Sequence, residues 1–139
     1  MTSPAPCRTF GPRRAAGFSL IELGMAIAIV AIIAAVAIPS YSSYARRSAR
    51  SEVQALMTTA ATRQTQFLVD RRRYADSLSA LNLPLPSSLG GKYSVAVASG
   101  DGPPPTFTIT ATAAGNQTKD ACPTLAIDQA GQRTPATCW

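Results

Sequence analysis

The sequence predicts an α+β fold: one long N-terminal α-helix packed on a small antiparallel β-sheet. Three observations predict it. An unbroken apolar run occupies Leu23–Ile38, an apolar stripe at helical spacing continues beyond Pro39, and the last third alternates apolar and polar residues. The 139 residues suit one domain of ordinary size. The 13 Lys and Arg exceed the 7 Asp and Glu, a net +6 that points to an anionic partner, nucleic acid or a membrane surface. With no His, the usual general base and the commonest metal ligand are missing. Three Cys without His cannot complete an ordinary zinc site. Glu22 and Glu52 are the only glutamates, so a paired-glutamate glycosidase site is unavailable, although Asp pairs remain. The expectation is a protein that is not an enzyme and carries no metal or cofactor.

The first 17 residues carry Arg8, Arg13 and Arg14 and no acid, with Pro4, Pro6, Pro12, Gly11 and Gly17 opposing a helix. Counted from Phe18, the apolar segment that follows reaches the roughly 20 residues that span a bilayer. The basic flank should stay cytoplasmic and the C-terminal part should be translocated. Three readings of the span are open: an uncleaved anchor, a conventional secretory signal and a buried core helix. The last is disfavoured because no polar face exists. The signal is disfavoured because Val36-Ala37-Ile38-Pro39 runs on into a helical pattern where a cleavage site should lie. Glu22 is the anomaly. A carboxylate in an apolar membrane segment is costly and needs a positive partner. A new amino terminus at Phe18 would lie one helical turn away, in the same chain or on a neighbour.

Gly17-Phe18-Ser19-Leu20-Ile21-Glu22-Leu23, preceded by Arg13-Arg14, resembles the cleavage motif of type IV prepilins. Ala37-Ile38-Pro39-Ser40-Tyr41-Ser42-Ser43-Tyr44 is similar to the pattern common in type IVa pilins. The resemblance is close from Arg13 to about Arg50 and covers the remainder in outline. It implies cleavage between Gly17 and Phe18 by a membrane-embedded prepilin peptidase, with N-methylation of Phe18. It also implies that Glu22 positions an entering subunit by pairing with the methylated amine of its neighbour. Gly24 departs from the pattern, since many relatives carry a larger apolar residue there. It either weakens the helix, by about 1 kcal/mol relative to Ala, or permits close helix packing.

Beyond Pro39, Val53, Leu56, Met57, Ala60, Phe67 and Leu68 fall near one helical stripe, with Arg46, Arg47, Arg50, Gln54, Thr58 and Arg63 on the other faces. Helix from about Phe18 to about Asp70 would be roughly 80 Å long. Pro39 should kink it. Arg46, Arg47 and Arg50 read as juxtamembrane or inter-subunit charges. Arg71-Arg72-Arg73 reads either as a solvated helix end complementing the dipole or as a basic patch for DNA, lipid headgroups or acidic partners.

Residues 75–91 read as a connecting loop. Tyr93, Val95 and Val97 alternate with polar or small residues, as do Phe107, Ile109 and Ala111, and both segments fit half-buried strands. Ser99–Pro105 makes the turn between them. A third strand is expected at Thr124–Asp128, a turn at Gln129-Ala130-Gly131, and a short fourth strand within Gln132–Thr137. Cys122 and Cys138 lie in the exported part, where a disulfide is favoured over two free thiols. The closed loop of about 17 residues is worth about 3 kcal/mol in the chain-entropy model. A C-terminal disulfide loop also matches the type IVa arrangement. Cys7 would leave with the leader. Trp139 would pack over the bridge or present a stacking surface.

The predicted organisation is a cleaved leader over 1–17, a membrane and filament-core half-helix over 18–40, an amphipathic half over 41–73, and a head over 74–139. The resemblance implies a structural subunit of a type IV pilus, minor or major, serving adhesion, twitching motility or DNA uptake. Its partners would be other pilins, the prepilin peptidase and the inner-membrane assembly platform. The precursor would sit in the inner membrane with its head periplasmic, then move to the surface pilus. The Cys122–Trp139 tail favours a minor pilin. One alternative is a DNA-binding pilin of a competence system, with Lys92, Lys119, Arg133 and Trp139 as candidate contacts. Once the leader's arginines are discounted, the basic excess is modest. Another alternative is a type II secretion pseudopilin. The cysteine pair argues against it, and Asp101, Asp120 and Asp128 lack EF-hand calcium spacing.

Overall fold

The computed structural model describes Gly17 and residues 19–139, the side chain of Pro39 excepted. The expectations for Cys7, for Arg13-Arg14 and for Phe18 lie outside the described residues. Two compact units divide between Ile38 and Pro39.

The described part of the first unit is the apolar part of helix α1 (Leu20–Arg71). Its first bond runs from the Leu23 N–H to the Ser19 carbonyl at 3.1 Å. Leu20, Ile21, Met25, Val30, Ile32, Val36 and Ile38 are all more than 60 % exposed, so these side chains are not buried against the described residues. By length and composition it can cross a membrane. Glu22 lies in the first turn and is exposed. Helical backbone continues through Pro39.

The second unit folds the rest of α1 against a four-stranded antiparallel meander: β1 (Tyr93–Gly100), β2 (Thr106–Ala113), β3 (Thr124–Asp128) and β4 (Arg133–Thr134). In β2, Phe107, Ile109, Ala111 and Ala113 are buried and the intervening threonines face outward, the period-two pattern of a strand with one covered face. Register keeps the apolar set together, with Ile109 opposite Val97 on one side and Ile127 on the other. From the helix, Ala49, Val53, Leu56, Met57 and Ala60 meet Phe107, Ile109, Leu125 and Ile127 in one core. Tyr74 closes its edge, 4.7 Å from Phe107 in an edge-to-face contact worth about 1 kcal/mol beyond burial.

Phe67, Leu68 and Arg63 differ from their expected places, and Gln64 takes a place that the stripe does not mark. Phe67 and Leu68 are only half-buried, with Phe67 packed against the core. Gln64, polar but in register with Ala60 at i, i+4, is fully buried. It accepts from the Ala75 N–H and donates to the Ala75 carbonyl, both at 2.8 Å, and so binds the returning chain as a neighbouring strand would. Arg63 was expected on the solvent face but donates to the carbonyls of Leu81 and Asn82 at 2.8 and 2.7 Å. A long side chain at the edge of a stripe reaches loop carbonyls that helical spacing does not reveal.

β1 extends through Ser99 and Gly100, shortening the expected turn to Asp101–Pro105. β4 is only two residues long. After it the chain turns into a short 3-10 helix, Ala136–Cys138, whose last residue is bonded to Cys122 with 6.0 Å between Cα atoms. The β3–β4 turn uses Gly131 at φ +74°, where a side chain would be strained. The Asp128 carboxylate accepts from the N–H groups of Ala130 and Gln132 to close it.

Candidate functional site

No metal-binding group of three or more acidic, Cys or His side chains occurs among the described residues. The chemistry of the head lies in its basic side chains, and antiparallel topology sorts them to two ends of the sheet. The start of β1, the end of β2 and the 3-10 helix Gly115–Lys119 lie at one end, here called the base. The β1–β2 loop and the β3–β4 turn lie at the other, the distal end.

At the base, Lys92 and Lys119 line one groove of about 420 Å³ together with Tyr41, Arg46, Asn116 and Gln117. Buried Gln117 sets its shape, donating to the Arg46 carbonyl at 2.9 Å and to the Tyr93 hydroxyl at 3.1 Å. Burial pushes the Tyr93 hydroxyl above the ordinary tyrosine range, against the lowering effect of that hydrogen bond. An adjoining depression of about 390 Å³ adds Arg47, Arg50 and Asp120. Arg50 pairs with the buried Asp120 at 2.7 Å, and Asp120 also accepts from the Cys122 N–H at 2.9 Å. Gln54 donates to the Cys138 carbonyl at 2.6 Å. Arg50 and Gln54 therefore do not occupy a solvated face as expected. They clamp the disulfide loop to the helix, a role with no periodic signal in the sequence.

Arg133 and Trp139 sit apart from the two lysines. The Trp139 ring packs against the core, with the Arg133 guanidinium 5.0 Å above its centroid. That contact fixes the cation and covers the ring face. The Trp139 Nε1 is buried without a hydrogen-bond partner among the described residues. At the distal end, Arg71, Arg72 and Arg73 line a depression of about 370 Å³ with Asp101, Gly102, Pro103 and Pro105. All three arginines are exposed. The Arg72 N–H closes the helix on the Leu68 carbonyl at 2.8 Å, with Arg72 itself at φ +58°. A helix stop of this kind usually takes Gly. The four candidate contacts read from the sequence thus fall into two separate pairs, and the three arginines form a third place.

Residues 12–38 match the prokaryotic N-terminal methylation motif. Residues 39–126, more than half of the chain, match the family described as type IV minor pilin ComP, DNA uptake sequence receptor. The chain belongs to this family. As a minor pilin it is a structural subunit of a type IV pilus, and its fold is that of structural pilins. A solved type IV pilin from Shewanella oneidensis is similar to it, with 25% identity and a TM-score of 0.54 over 68% of this chain and 97% of that one. Comparison with curated proteins gave no match. The motif and the apolar start of α1 fit a membrane-anchored precursor that is later assembled into the pilus. Minor pilins also imply other pilins and the pilus machinery as partners.

Proposed function

We propose that this minor pilin is the DNA-binding subunit of a type IV pilus used in natural transformation. The match to a DNA uptake receptor family over residues 39–126 carries the reading. Three consecutive exposed arginines at the distal end of the head support it. Cations of this kind bind phosphate without reading sequence, and base contacts would have to come from neighbouring loops. Lys92 and Lys119 are the weaker candidates, because they share a groove with a single further cation, Arg46.

The remaining roles follow from the prepilin motif. Prepilin peptidase cuts between Gly17 and Phe18 and removes residues 1–17. Phe18 is N-methylated, Glu22 pairs with the methylated amine of a neighbour, and the assembly platform draws the helix from the inner membrane. The head is periplasmic until then. A deletion strain tests the functional reading. It should keep its pili but lose most transformation, and the subunit should be rare in sheared filaments. Loss of the pili themselves, or transformation at the parental level, would count against it.

A further inference from the structure

The groove at the base of the head has a composition that the pilus role does not use. We infer that it binds the phosphate headgroup of an anionic phospholipid, in the leaflet from which the helix emerges. The inference needs the membrane-anchored precursor and is independent of DNA binding.

Position supplies the first argument. The apolar run ends at Ile38, and Tyr41 and Arg46 lie three and eight residues further along the same helix. At 1.5 Å per residue, that is no more than about 12 Å of helix beyond the span. Tyr41 and Tyr44 are 75% and 71% exposed, and such rings with one polar tip suit the level of lipid headgroups.

Charge supplies the second. Arg46, Lys92 and Lys119 converge from α1, from the residue before β1 and from the 3-10 helix Gly115–Lys119. Among the described residues, none of the three forms an ion pair, since the one salt bridge joins Arg50 to Asp120. Asp120 is the sole carboxylate lining the two depressions at the base, and Arg50 neutralises it. The local field is therefore positive and uncompensated.

Rigidity supplies the third. Buried Gln117 bonds the 3-10 helix to α1 and to Tyr93, so the cations are presented on a fixed frame. A phosphodiester would accept from the two ammonium groups and the guanidinium, charge-assisted bonds stronger than neutral ones. The bound lipid would hold the head against the membrane until the helix is extracted.

Hydrogen exchange of the full chain in lipid nanodiscs tests the site. Amides of residues 115–119 should exchange several-fold more slowly in discs containing phosphatidylglycerol than in discs of phosphatidylcholine alone. Each charge near an anionic surface is worth about fivefold in affinity, so K92Q/K119Q should bind about 25-fold more weakly and lose the protection. K92R/K119R should keep it. Wild-type chain at about 1 M NaCl should lose it too, an arm that does not depend on the variants folding. Equal exchange in the two kinds of disc would overturn the proposal. So would equal protection in phosphatidylcholine discs given inorganic phosphate or duplex DNA, which would make the groove a general anion site or part of the DNA surface.

Discussion

Arg72 ends the long helix in a conformation that suits glycine. A non-glycine residue at φ +58° costs on the order of 1 kcal/mol through the contact of its Cβ with the following carbonyl. Strain kept at a charged, exposed position suggests that the side chain is retained for binding. Arg72→Gly should stabilise the head by up to about 1 kcal/mol, as read by thermal unfolding, while weakening its binding to DNA. Unchanged stability would mean that the unfolded-state entropy of glycine cancels the relief. Tyr93 gives a pH dependence. Its hydroxyl has a higher pKa folded than unfolded, so the folded state holds the proton more tightly. The contribution is full below about pH 10 and is lost as pH rises through the raised value. Alkaline unfolding followed by circular dichroism should therefore set in at higher pH in Tyr93→Phe. A parallel shift at neutral pH would show ordinary loss of packing instead. Tyr93 was legible as a strand residue and Arg72 as part of a basic helix end, but neither the buried hydroxyl nor the positive φ has a signal in the sequence.

At the scale of elements, the periodic signals were read almost to the residue. The apolar start of the helix, the stripe at Val53, Leu56, Met57 and Ala60, and the strands around Phe107–Ala111 and Thr124–Asp128 stand in the structure as expected. They were legible because each buries one face, and burial imposes a period on the side chains. The 3-10 helices and the contacts of Arg50, Gln54, Gln64 and Gln117 were not. These are single polar groups satisfied by particular backbone atoms far away in sequence, up to 84 residues for Gln54, and no local pattern encodes them. The apolar half of α1 leads to a prediction about assembly. Glu22→Ala should still be processed to mature size, since the proposed cut precedes Phe18, yet be depleted from sheared filaments on immunoblots. Normal abundance there would remove the assembly role of Glu22. Gly17→Ala should leave the precursor uncut, and a mature-size band in that variant would move the junction elsewhere.

For the whole molecule, the net +6 with which the sequence presents itself is unevenly distributed. Three arginines precede Phe18, a cluster lies at the base of the head, and three more lie at the distal end. The sequence marked Lys92, Lys119, Arg133 and Trp139 by residue type alone. Only the topology shows that they occupy separate places, and that Arg133 already lies over Trp139. Function on this account is divided along the chain: an apolar helix for membrane and filament, a base for the membrane surface, and a distal end for nucleic acid. The central claim is that the distal arginines receive DNA. Binding of duplex DNA to the full chain, measured across a series of salt concentrations, tests it most directly. Each phosphate contact contributes about 0.9 to the slope of log affinity against log salt. Replacing Arg71, Arg72 and Arg73 by Gln should weaken binding at every salt concentration and reduce the slope by about 2 to 3 units. An unchanged slope and affinity in that variant, or no binding by the wild-type chain at low salt, would contradict the account.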